Sequence, residues 1–172
     1  QINAWNTMEV LRREKQVIGM YLSGHPLDDF LVEVKFFSKG HLGYMQDLDK
    51  IINREMAMGG ICTKAEHRIS KNGKPWGSFE MEDYHGSYEF RLFGENYLKY
   101  KHLLDVDQFL FVKGAVREKS WRNKDGGETR RVEFEIGGIE LLIEVREKMA
   151  KKITIDIELE NLNEVVLMKL NK

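Results

Sequence analysis

The chain has little cysteine. Its single thiol, Cys62, excludes an internal disulfide and fits a reducing cytosol. Cys62 has no C-x-x-C partner and the five histidines are scattered, so the pattern argues against a zinc site. No apolar run approaches the roughly 18 residues of a membrane span, and the N-terminus lacks a basic-then-apolar signal. The expectation is a cytoplasmic protein with no membrane partner. G-x-x-x-x-G-K-[ST] and G-x-S-x-G are both missing, which removes the phosphate-cradling loop and the nucleophile elbow. Clustered carboxylates are missing too. The pair Asp47 and Asp49 stands without a strand pattern or a third acid, so two-metal chemistry is not indicated. No catalytic residue, metal ligand or cofactor is assigned.

What is present supports a packed core: 172 residues, 42% apolar and 10% aromatic. The chain opens on Gln1 and ends on "LMKLNK", inside an apolar-periodic segment, and is expected to be a piece of something larger. The net charge of −1 conceals an uneven distribution. Residues 64–76 carry four Lys or Arg against one Glu, and residues 113–131 carry seven against three acids, in an otherwise acidic chain. Brought together by folding, these two segments would form a positive site.

Helical signals run to about residue 55. In "MEVLRREKQVIGMYL", Leu11, Ile18 and Leu22 share a stripe. Gly24 then suits a left-handed helix end, and Pro26 the first turn of the next helix, "PLDDFLVEVKFF". "YLSGHPLDDF" therefore reads as a corner; Ser23 and His25 are too close in sequence to face each other as nucleophile and base.

From Ala57 the period becomes two. "GGICTKAEHRIS" reads as a long first strand in which Gly59-Gly60 tolerate a bend or bulge, and "KNGK" as a hairpin with a type I′ turn at Asn72-Gly73. "WGSFEMED" is a second strand with Phe79 and Met81 inward and Trp76, Ser78, Glu80 and Glu82 outward, and "SYEFRLF" a third. A short helix (94–104), a fourth strand in "DQFLFVKGAVREK", a tip in "NKDGGE" and a fifth strand in "RRVEFEIGGIELL" follow. Three strands, a helix and two strands is the order of a five-stranded OB-fold Greek-key barrel, mainly β with flanking helices. The domain reading is a helical segment over 1–55, the barrel over 56–146, and over 147–172 a linker and the start of a further α/β domain. In that last part Ile153, Ile155, Ile157 and Leu159 alternate as a strand.

An OB groove tracks phosphates with Lys and Arg and stacks bases on exposed aromatics. The candidate nucleic-acid contacts are Lys64, Arg68, Lys71, Lys74, Trp76 and Ser78 around the first hairpin, and Arg91 on the third strand. Around the second hairpin they are Lys119, Trp121, Arg122, Lys124, Arg130 and Arg131. Arg91 could instead pair with Glu80 or Glu82 across the strands, and Trp121 could fold back on its own hairpin.

"LRREKQVIGMYLSGHPLDDF" resembles the signature E-K-x-x-[LIM]-G-x-Y-L-[ST]-G-H-P-[LI] that precedes the OB domain in the alpha subunit of bacterial DNA polymerase III. Trp5, the "GGI" opening of the first strand, "KNGK", "MED…G" and "RLFGENYLKYKHLL" are similar to the same family in the same order. The resemblance implies a non-catalytic module that holds single-stranded template DNA in a nucleoid-associated replicative polymerase. The polymerase needs Mg, but its carboxylates and its phosphoesterase-like metal site have no counterpart in this sequence. It also implies partners in the holoenzyme, the sliding clamp and the clamp-loader tau subunit, through regions largely outside this chain. "KITIDIELENLNEVV" is similar to the first strand of the tau-contacting domain and no more. Two other readings stay open: a protein-docking or spacer barrel with idle charges, and an RNA-binding OB domain.

Overall fold

The computed structural model describes residues 5–122 and 128–150. The strand expected over 152–161 lies outside the described residues. Helix α1 (Thr7–Ile18) starts on Asn6, whose side chain accepts the Glu9 N–H at 2.8 Å, and stops at Gly19 with φ +87°. The left-handed end is thus Gly19 and not Gly24, because the helix closes as soon as a residue without a Cβ can take that conformation. Leu11 is buried, whereas Ile18 and Leu22, expected on the same apolar stripe, are exposed.

The corner that follows is held by capping. His25 Nδ1 accepts the Leu27 N–H at 3.1 Å, and Asp28 accepts the His25 N–H at 2.7 Å, a reciprocal capping box. Pro26 opens the 3₁₀ turn Pro26–Phe30, which continues into α2 (Leu31–Phe37). Glu14 accepts the Leu22 and Ser23 N–H groups and the Ser23 hydroxyl, so Ser23 is a structural donor. The Tyr84 hydroxyl donates to Asp28 at 2.8 Å and ties the corner to the sheet.

Burial lowers the pKa of His25 below its ordinary 6.5, with Asp28 and other carboxylates opposing. On acidification the unfolded chain therefore takes up its proton first, so stability falls from about pH 6.5 down through the folded pKa. His41 adds to the same trend, lowered by burial and by His85. We expect His25→Asn, which keeps a capping acceptor but cannot titrate, to lose less thermal stability than wild type between pH 7.5 and 5. Equal losses in calorimetry would reject a titrating cap.

The sheet contains β1 (Glu55–Ile69), β2 (Pro75–Asp83), β3 (Gly86–Phe93), β4 (Phe109–Arg122) and β5 (Glu128–Leu141), all antiparallel, in the order β3-β2-β1-β4-β5. Helix α3 (Gly94–Tyr100) links β3 to β4. The first half of β1 pairs with β4 and the second half with β2, and the sheet curls until Phe90 of β3 meets Phe134 of β5 at 5.8 Å. Among the described residues β3 and β5 share no ladder, so the barrel is open along that seam.

The irregularity in β1 falls at Thr63, between the pairs Cys62–Met81 and Lys64–Glu80, and not at Gly59-Gly60. Those glycines pair regularly with Phe111 and Leu110; a Cβ on Gly60 would stand 2.8 Å from the Glu82 carbonyl. The extra residue reverses the parity of everything after it. Met56, Met58 and Cys62 point into the barrel, yet Lys64, two residues beyond Cys62, points out. The first hairpin also differs from expectation. Positive φ is confined to Gly73, and the Gly73 N–H donates to Ser70 O at 2.9 Å, which is a three-residue loop with a left-handed glycine rather than a type I′ turn.

Phe79, Met81, Leu110 and Val112 fill the barrel. A second cluster of Leu27, Ala57, Phe111, Leu142 and Val145 covers the outer face of the first half of β1, with α2 and α4 (Leu142–Met149) laid over it. This layer stops short of β2 and β3. Apart from the Glu82 end, which Lys15 of α1 reaches, their outer faces stay open among the described residues.

Candidate nucleic-acid interface

Cross-strand register turns the open face into rows. Arg68 of β1 lies opposite Trp76 of β2, which lies opposite Phe93 of β3; the next rows are Glu66–Ser78–Arg91 and Lys64–Glu80–Glu89. The Trp76 and Phe93 rings stack at 5.6 Å and 18°, and the Arg68 guanidinium sits 5.7 Å from the indole. Trp76 is half-buried, whereas Phe93 is 62% exposed and forms the solvent end of the stack. Phe93 is absent from the residues singled out by sequence. Strand parity alone identifies it, since it follows Glu89 and Arg91 on the outer face.

The rows border a groove of about 290 Å³, and Glu89 and Arg91 also line a larger cleft of about 790 Å³ along the β3–β5 seam. Lys119 and Arg131, opposite each other on β4 and β5, line that cleft. Trp121, expected in a loop, is the last-but-one residue of β4, opposite Thr129 and 46% exposed, on the same side of the hairpin as Lys119. Arg130 is one residue out of phase with Arg131. It turns to the other side and pairs with Asp49 at 3.1 Å and Glu118 at 2.9 Å. Lys71 and Lys74 are exposed at the tip of the first hairpin with no carboxylate in reach among the described residues. Lys124 and the side chain of Arg122 lie outside the described residues.

Each cation on the rows and in the cleft has an acidic partner. Lys64 meets Glu80 at 2.5 Å, Arg68 meets Glu66 at 2.5 Å, and Arg91 meets Glu89 at 2.9 Å. Arg91 thus pairs along its own strand, not across to Glu80 or Glu82, because Ser78 is the residue opposite it. Lys119 bonds Glu133 and, at 2.6 Å, Glu135; Arg131 lies 3.7 Å from Glu133. The Lys64 ammonium holds the Glu80 carboxyl below its ordinary range, and the same contact raises Lys64.

Elsewhere the chemistry is quiet. Burial lifts the Cys62 thiol to about 11, so it is a poor nucleophile. Asp47 pairs with Lys50 at 2.8 Å and Asp49 with Arg130, and among the described residues no three His, Cys, Asp or Glu side chains are grouped to hold a metal. A more apolar cavity of about 590 Å³ lies between α1 and β1, crossed by the Arg12–Asp107 and Lys15–Glu82 pairs. No described helix is long and apolar enough to cross a membrane.

This strand order, with its helix between β3 and β4 and its open β1–β2–β3 face, is an OB-fold, and the family pattern described as "OB-fold nucleic acid binding domain" matches residues 59–142. Over nearly its whole length the chain is similar to one segment of the alpha subunit of DNA polymerase III. It is 28% identical over 169 residues to "DNA polymerase III subunit alpha" of Escherichia coli O157:H7, covering 98% of this chain. It is 30% identical over 116 residues to the protein of the same name in Mycobacterium tuberculosis, covering 66%. The chain spans 14% of the length of the first relative and 10% of the second. Among solved structures, a mitochondrial single-stranded DNA binding protein from S. cerevisiae overlays 52% of this chain and 94% of its own at 13% identity and a TM-score of 0.35, too low to carry an argument.

Proposed function

We propose that the outer face of β1, β2 and β3 binds single-stranded template DNA as one module of a bacterial replicative polymerase alpha subunit. The observation that carries the reading is the Arg68–Trp76–Phe93 stack, exposed at its Phe93 end on a sheet face that α2 and α4 leave uncovered. Bases need a ring face and phosphates need nearby cations. Lys71, Lys74, Arg91, Lys119 and Arg131 surround the stack or continue from it along the seam. Similarity to the polymerase subunit over 98% of the chain supports the setting. In this reading the chain has no catalytic residue and no cofactor, works in the cytoplasm at the nucleoid, and meets the clamp and clamp loader through other parts of the polymerase. Affinity is modest, and the rest of the polymerase supplies a high local concentration of DNA.

Fluorescence anisotropy with labelled oligonucleotides tests this. The expected result is tighter binding to a single strand than to duplex of equal length, with log affinity falling linearly as log salt rises. A second reading, a docking or spacer barrel, is favoured by one observation: the acidic partner on every cation of the rows and the cleft. No binding at tens of micromolar protein would select it. Tighter binding to RNA of the same sequence would select an RNA-binding barrel.

A further inference from the structure

We infer that Glu66, Glu80 and Glu89 are specificity determinants: they occupy the groove's cations and so select ligands that offer base faces over ligands that offer only phosphate. The inference rests on the binding role proposed above. Its basis is the alternation of charge along the rows. Among the described residues Arg68, Lys64 and Arg91 are the three cations on these rows, and each is held within 2.9 Å by one of the three acids. The pairs are built into the register: Lys64 lies directly opposite Glu80, while Glu66–Arg68 and Glu89–Arg91 are spaced two residues apart on one face of one strand.

A phosphate reaching any of these cations must compete with, and in part displace, a carboxylate already paired there. Duplex DNA presents its phosphates on the outside and its bases stacked inside, so it has nothing further to offset that displacement. A single strand can place a base on Phe93 and approach the cations with that contact already made. The acids thus work against the wrong ligand more than against the right one. Of the three, Glu80 is drawn below its ordinary range by the Lys64 ammonium beside it. Lys71 and Lys74, which have no acid in reach among the described residues, leave a small attraction for any nucleic acid at the hairpin tip.

The test uses the 172-residue chain and its triple variant E66Q/E80Q/E89Q, each titrated by anisotropy with a thymidine oligonucleotide and with a duplex of equal length at about 50 to 200 mM salt. Glutamine keeps the shape, and exposed pairs contribute little to stability, so thermal melts should nearly coincide. If they do not, E80Q alone carries the comparison. We expect the variant to bind duplex on the order of tenfold more tightly and the single strand about threefold more tightly, with a steeper salt slope for both. A variant that tightens on both ligands by the same factor, or on neither, overturns the inference while wild-type preference for single strands leaves the proposed function standing. Wild type and variant that bind neither ligand overturn both.

Discussion

Trp76→Ala is expected to weaken single-stranded DNA binding by roughly tenfold or more, the loss that follows from about 1–3 kcal/mol of stacking per base. Trp76 itself has little free ring face, since Phe93 covers one side at 5.6 Å and the Arg68 guanidinium approaches at 5.7 Å. In the proposed function its role is to hold Phe93, the ring on which a base would stack. Phe93→Ala should therefore cost as much as Trp76→Ala, and the double variant little more than either, because the two rings act as one stack. The salt slope should stay unchanged in all three, since no phosphate contact is removed. Independent, additive losses would mean that each ring stacks its own base. No loss for Phe93→Ala would remove the platform.

Arg146→Ala is expected to destabilise the fold by about 3 kcal/mol, the cost of stranding a buried charge. Glu33 on α2 is 2% exposed, and among the described residues its one charged partner is Arg146 of α4, with Nε at 2.7 Å from Oε1. The second carboxylate oxygen, Oε2, is buried with no hydrogen-bond partner among the described residues. The pair latches α4 over the outer cluster, yet it is only half satisfied. Replacing both groups with methionine should recover most of the loss, because an apolar pair leaves no charge to solvate. In calorimetry the single variant should melt roughly 6–12 °C lower and the double variant close to wild type. A single variant as stable as wild type would show that Glu33 finds water when Arg146 leaves.

The strand order was legible in the sequence because its signals are local. Period-two alternation places Phe79, Met81, Phe90 and Leu92 inward, and Asn72-Gly73 and Gly86 mark turns, whatever surrounds them. The corner at 21–30 was legible for the same reason, since a capping box needs only residues three apart. Errors entered where two local solutions compete. Gly19 and Gly24 can each end a helix, and the one reached first does so. The alternation ends the fourth strand at Lys119 and leaves Trp121 outside it, because the turn signals of 123–127 give no sharp strand end, whereas β4 continues to Arg122.

By itself, the sequence determined which segments are strands, which corner joins helix to barrel, and where basic residues concentrate, because those depend on neighbours a few positions apart. Only the tertiary structure decided which side chains share a face. The extra residue at Thr63 reverses the parity of β1 and turns Lys64, Glu66 and Arg68 outward, and one step of phase sends Arg130 to Asp49 while Arg131 enters the cleft. It likewise decided that the basic groups of the open face are paired with acids, since strand register brings together residues that composition can only count.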